Sequence, residues 1–305
     1  MTGPDPAGRA DHAAPTEQAD RVSQAGQDAD ELIAQAVAAP FAGWDFGWLN
    51  ARSSVTALPW SYQDEVLRHA ASASTMVDMG TGGGEILAAL PGRPARTVAT
   101  ESWPPNVTVA ADRLRPLGIP VLHTQGAPEN MSAEADAEHA GTRPPAGRLP
   151  FRDGALDLVI NRHESFSARE VARVLTPGGH FVTQQVDYHS DLELYDLLGL
   201  EPPGQPVSWL LQAVAQLSRA GLDVTVQRSG QSVLYLRDVG ALVYYLKIVP
   251  WVVPQYGIRE FLPRLRTVSM RRDAWPAPVT GHRFLIAVLQ PARPAARMPS
   301  VGGGK

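Results

Sequence analysis

The residues whose types and spacing speak most directly of chemistry are Val77-Asp78-Met79-Gly80-Thr81-Gly82-Gly83-Gly84-Glu85. The apolar stretch Thr75 to Met79 leads into the glycines, and Glu85 to Leu90 leaves them with helical character. Glycines are needed where a backbone must turn tightly and a ligand must approach with no Cβ in the way. The free N–H groups of the following helix then favour negative charge, a carboxylate as readily as a phosphate. Glu101 ends the next apolar run, 21 residues past Gly80, and an acid at about that distance accepts hydrogen bonds from ribose hydroxyls. Loop and acid together imply a nucleoside-bearing cofactor. A dinucleotide loop of the form G-x-G-x-x-G/A needs Gly or Ala where this chain has Glu85, which counts against NAD or FAD. Without a ligand, the same residues describe a tight strand-to-helix turn followed by a surface acid.

A second cluster, Asn161-Arg162-His163-Glu164-Ser165-Phe166, follows the apolar run Ala155 to Ile160. Ligands of open α/β sheets bind beyond the carboxyl ends of strands. His163 is able to act as a base near neutral pH, with Glu164 either orienting it or contacting substrate. The competing reading makes Arg162, His163 and Glu164 a structural network that closes the sheet edge. Gln184 and Gln185 point to opposite faces of a strand, so only one of them faces a pocket. His189 reads as a surface residue and His282 as remote from the site. The eight histidines are scattered with no H-x-x-x-H spacing, so no metal site is expected.

To position such loops the chain must alternate strand and helix. Strands are predicted at Thr75–Met79, Arg96–Thr100, Pro120–His123, Ala155–Ile160, His180–Val186, Val224–Arg228, Val233–Leu236 and Arg283–Leu289. Helices are predicted at Tyr62–Ala71, Pro105–Leu117, Ala168–Leu175 and Val207–Ala220. The alternation argues for a parallel, doubly wound sheet. Glu129 to Arg148 reads as a long surface loop, and 238–275 as a helical, aromatic insertion before the last strand. Residues 1–28 and 291–305 read as disordered tails, 29–60 as an N-terminal helical and aromatic cap segment, and 61–290 as the main domain.

The bulk composition sets outer limits. Of 305 residues, 44% are hydrophobic and none is cysteine, which leaves out disulfides and thiolate chemistry. A net charge of −4 gives no general attraction to nucleic acid. Arg259, Arg264, Arg266, Arg271 and Arg272 form the nearest basic cluster and read as a solvated helix face. No apolar run is long enough to span a membrane and no signal peptide is seen, so a cytoplasmic location is expected.

Four elements in order resemble the class I S-adenosylmethionine (SAM)-dependent methyltransferases, in particular the type 11 group. They are the Asp78–Gly84 loop, with its G-x-G-x-G glycines, then Thr97-Val-Ala-Thr-Glu101, then Leu149-Pro-Phe-Arg-Asp-Gly-Ala-Leu-Asp157-Leu-Val-Ile, and last Glu170-Val-Ala-Arg-Val-Leu-Thr-Pro-Gly-Gly179. The resemblance implies a Rossmann-like, doubly wound, seven-stranded sheet with the last strand antiparallel. It implies that Gly80, Thr81, Gly82 and Gly84 line the methionine part of SAM and that Asp78 helps hold its amino group. Glu101 would bind the ribose, and Ser102 and Trp103 would border the adenine. Gln125, Gly126 and Ala127 would stand where the family usually has an acid for the adenine amino group. Asn161 would lie beneath the methyl end, and Tyr62 near the cofactor.

Methyl transfer from a sulfonium is an in-line displacement, so alignment is the protein's main contribution. A base such as His163 is needed only if the acceptor must lose a proton. The aromatics Trp44, Phe46, Trp48, Trp60 and Tyr62, with Tyr244, Tyr245, Trp251 and Tyr256 of the insertion, suggest either a lid for a mostly apolar or planar small-molecule acceptor or rings that pack the additions onto the sheet. The alternatives left open are an RNA base methyltransferase and a SAM-binding protein without catalysis. No nucleic acid or membrane partner is expected, and a homodimer is left open.

Overall fold

The computed structural model describes residues 28–41, 46–127, 147–204, 208–254 and 256–292. Within them lies one sheet of eight strands: β1 (Ser53–Val55), β2 (Thr75–Met79), β3 (Arg96–Glu101), β4 (Val121–His123), β5 (Leu156–Arg162), β6 (Leu175–Val186), β7 (Asp223–Leu236) and β8 (Ala277–Leu289), in the order β1-β7-β8-β6-β5-β2-β3-β4. The strands β6, β5, β2, β3 and β4 run parallel to one another. As expected, β8 is antiparallel, and it lies between β6 and β7.

The count of seven is corrected to eight. Ser53–Val55 pairs with the end of β7 and forms an edge strand inside the segment expected to be helical and aromatic. Moreover, the two short strands expected at 224–228 and 233–236 are one 14-residue strand. Gly230 lies at the junction, and a Cβ there would come within 2.7 Å of the Trp60 ring. A glycine within a strand often marks such a close approach.

Side chains alternate across the sheet and divide the core in two. Met76, Leu158, Ile160, Val182 and Leu285 pack beneath the helices Tyr62–Ala70, Glu85–Ala89 and Pro104–Leu114. Val77, Val159, Phe181, Phe284 and Ile286 pack beneath Ala168–Val174 and Trp209–Arg219. Ser61 caps the helix that leads into β2 by accepting from the Asp64 N–H, and Asp64 and Glu65 in its first turn suit its dipole.

A third core joins the N-terminal helix 28–38 to Gly47–Asn50, Glu193–Leu198, Val239–Ile248 and Ile258–Ser269. Phe41, Phe46, Trp48 and Tyr244 stack on one another here, with Trp48 and Tyr244 centroids 4.6 Å apart. These rings pack the additions together, whereas Trp60 and Tyr62 sit on the sheet. Two members of the arginine cluster are structural: Arg264 caps the carbonyls of Leu198 and Gly199, and Arg266 pairs with Asp30 in two hydrogen bonds. The proposed tails (apart from Asp28 at the start of the first helix and residues 291–292), nearly all of the loop 129–148, and Trp44 lie outside the described residues.

Candidate active site

At the carboxyl end of β2 the chain turns over the end of β3. The N–H groups of Gly80 and Thr81 both donate to the Thr100 carbonyl, at 3.1 and 2.9 Å. Gly80, Gly82 and Gly84 adopt φ of 70°, 63° and 80°, the left-handed region that favours glycine. Gly84 also admits Leu114, whose Cγ lies 3.0 Å from where a Cβ would stand.

Glu101 meets this turn directly. Its Oε2 accepts from the Gly82 N–H at 2.6 Å, and its Oε1 accepts from the N–H groups of Ser102 and Trp103 at 2.9 and 2.8 Å. Asp78, almost wholly buried, accepts from the Thr81 hydroxyl at 2.7 Å. Burial first, then the Glu101 charge, raise its pKa to about 6, against the Thr81 hydrogen bond and the Arg162 charge.

Glu164 completes a trio of carboxylates. Its Cβ and Cγ stand 2.4 Å from where a Cβ of Gly80 would be, so a glycine there is what admits it. Its Oε1 accepts from the Ser102 hydroxyl at 3.0 Å. Burial, followed by the Glu101 charge, raises its pKa. The cleft between Gly80, Ser102, Gly126, Ala127 and Glu164 keeps about 10 Å³, room for about one water.

A buried polar tie fixes the floor. Asn161 donates from Nδ2 to the Met79 carbonyl at 3.3 Å, and its Oδ1 accepts from Thr183 Oγ1 at 2.8 Å and Gln185 Nε2 at 2.5 Å. Gln185 also donates to the Glu164 carbonyl at 3.0 Å. On the other face, Gln184 accepts from Trp60 Nε1 at 3.0 Å. The Tyr62 hydroxyl donates to the Asn161 carbonyl at 3.2 Å.

A family model described as a methyltransferase domain matches residues 77–183. Over that segment the chain is similar to a methyltransferase domain. Among solved structures the chain is similar to a putative methyltransferase from Bacillus halodurans, 15% identical with a TM-score of 0.46, covering 75% of this chain and 99% of that one. It is also similar to the YcgJ protein from Bacillus subtilis, 16% identical with a TM-score of 0.47, covering 76% and 99%. A third is a putative sarcosine dimethylglycine methyltransferase from Galdieria sulphuraria, 13% identical with a TM-score of 0.41, covering 80% and 84%. No curated protein matches the chain.

Of the residues singled out in the sequence, Gly80, Ser102, Gly126, Ala127 and Glu164 line the cleft, while Asp78, Thr81, Gly82 and Glu101 are joined to the turn beside it by hydrogen bonds. Trp103 offers its N–H to Glu101 while its ring stays 63% exposed. Asn161 and Tyr62 lie beneath the loop rather than lining the cleft. His163 is exposed, sits at a φ of 60°, and makes no hydrogen bond to Glu164. Crowding first, then the charges of Arg162 and Arg283, hold its imidazole well below the usual histidine pKa.

Other motif residues turn out to be structural. Asp157 accepts from the N–H groups of Ser74 and Thr75 and from Thr176. Glu170 and Arg173 clamp the chain at Leu149 and Phe151. Gln185 and Ser102 were both noted in the sequence, but not as partners of Glu164. The strand alternation pointed to one of the two glutamines, but nothing in the spacing paired Ser102 with a carboxylate 62 residues away.

Proposed function

We propose that the chain transfers a methyl group from SAM to a small-molecule acceptor. The observation that carries this reading is the Gly80–Gly84 turn locked onto Glu101 through the Gly82 N–H, inside the segment similar to a methyltransferase domain. The donor set fits the cofactor: a buried acid at Asp78 suits an ammonium, and a carboxylate at Glu101 suits the ribose hydroxyls. Backbone bare of Cβ at Gly80 suits close approach. Space is made by rotating Glu164 off Gly80, a change between staggered side-chain wells. When bound, SAM supplies an activated methyl group on a positively charged sulfur.

The chain's own contribution is alignment and exclusion of water. Asp78 holds a positive amine best when ionised, and its pKa near 6 leaves it mostly so at neutral pH. The Asn161–Thr183–Gln185 tie keeps the ends of β5 and β6 rigid beneath the reacting centre. Trp60 and Tyr62 are tied to the ends of β6 and β5 through Gln184 and the Asn161 carbonyl. His163, largely neutral, is available to take a proton from an acceptor that must lose one.

Calorimetric titration with SAM and with its demethylated product tests this. Micromolar binding, about −8 kcal/mol, is expected. Gly82→Val should abolish it and Glu101→Ala should weaken it strongly. Binding of NAD(H) in place of both ligands overturns the reading.

A further inference from the structure

Two cationic side chains beside the site lack a carboxylate partner among the described residues. Arg162 is the last residue of β5 and pairs with Gln184 of β6. Arg283 of β8 pairs with Val186, the last residue of β6. Cross-strand partners share a face, and so do residues two apart along a strand. Arg162, Gln184, Val186 and Arg283 therefore emerge on one face, the face of Trp60, Tyr62 and Asp78. Strand spacing puts the two arginine backbones roughly 10 Å apart across the sheet and roughly 7 Å along it. Their side chains are long enough to converge above the strand ends.

Among the described residues, neither guanidinium has a carboxylate within ion-pair distance, and the Arg162 guanidinium has no hydrogen-bond partner. Arg283 spends Nη1 on Ser190 Oγ at 3.1 Å and the His282 carbonyl at 3.0 Å. The acids whose charge reaches them have oxygens engaged elsewhere, Asp78 with Thr81 and Asp191 with Tyr245. His163, which follows Arg162 and feels the charge of both arginines, is in a left-handed conformation, with φ of 60°. Strain of that kind in a non-glycine residue clusters at ligand-binding positions.

We propose that Arg162 and Arg283 together recognise an oxyanion on the methyl acceptor, a carboxylate or a phosphate, so that the acceptor is an acidic small molecule. The proposal rests on the methyltransferase reading for the word acceptor, though not for the anion site itself. Two guanidiniums on one face, each offering planar paired donors, match an oxyanion better than they match each other. The charges of the two cations also resist protonation of His163.

Benzoate, phenyl phosphate and uncharged benzamide are titrated into the full chain by calorimetry, first alone and then with the demethylated cofactor present. One or both anions should bind at least about tenfold more tightly than benzamide, and their ranking tells carboxylate from phosphate. Arg162→Gln and Arg283→Gln should each weaken the anion at least about tenfold, while cofactor-product affinity stays within about threefold. Arg162→Lys and Arg283→Lys keep the charge without the fork and should fall between, which covers a Gln variant that fails to fold. Anions that bind no better than benzamide, or that bind both Gln variants undiminished, overturn the proposal. Failure of the cofactor product to bind the unaltered chain would instead sink the methyltransferase reading, and the titrations without it still decide the anion site.

Discussion

Two arginines within the segment 77–183, eleven residues apart, have opposite surroundings. Arg173 directs each of its five N–H donors to an acceptor: both oxygens of Glu170, Asp153, and the carbonyls of Leu149 and Phe151. Arg162 directs none to a described residue. The same contrast holds for acids. Asp157, tied to Ser74, Thr75 and Thr176, has its pKa lowered, whereas burial raises that of Asp78. Charges that hold the fold are fully satisfied, and charges at the strand ends are held ready for something else. Both kinds occur in equally conspicuous motifs, so motif strength alone does not separate them.

The largest effect expected from breaking this contrast is on stability. Arg173→Ala leaves the Glu170 carboxylate, only 5% exposed, without its partner. Breaking such a pair costs about 3–5 kcal/mol. Arg162→Ala should change stability by no more than about 0.5 kcal/mol. Urea denaturation of both variants checks this, and equal losses would erase the distinction.

A second test uses pH. Asp78 titrates near 6 in the folded chain against an ordinary 3.8. Between those values the folded state holds a proton that the unfolded state has released, so stability falls as pH rises from about 4 to about 6. The loss amounts to as much as about 3 kcal/mol. Asp78→Asn should remove this part of the slope, seen as a flatter midpoint-against-pH curve than that of the unaltered chain. A bound ammonium draws the proton off Asp78, so SAM affinity should climb as pH passes 6, and should not in the Asn variant.

How much of this was legible depends on the range of the interaction. The glycine turn and Glu101 were readable because backbone conformation and strand ends leave local marks, φ-permissive residues at fixed spacing. The alternation of β2 to β6 was readable for the same reason. β1 was not, because three residues, Ser-Ser-Val, carry no periodicity and pair only because β7 offers an edge. Glu164 was singled out, yet as a partner of His163. Its actual position over Gly80 depends on Gln185 holding its carbonyl and on Ser102 holding its carboxylate, contacts across strands with no sequence signature. The Arg162–Arg283 pairing was invisible in the same way, since it exists only through the register of β5, β6 and β8.

The smallest effect concerns how neutral contacts hold the charged side chains in place. Trp60 is gripped twice, with its ring against Gly230 and its Nε1–H on the buried Gln184 Oε1. Gln184 stands in register between Arg162 and Leu285, on the face where both arginines emerge. Trp60→Phe keeps much of the packing but leaves Gln184 Oε1 unsatisfied, which should cost about 1 kcal/mol in urea denaturation. If the indole merely fills space, the loss ends there and ligand binding is unchanged. If it fixes the strand ends, benzoate binding weakens by more than the stability loss explains, while binding of the cofactor product, proposed to lie at Gly82 and Glu101 on the far side of β5, does not. Equal weakening of both ligands would mean that the cleft and the arginine face respond as one unit, and the contrast between Arg162 and Arg173 would then reflect local packing alone.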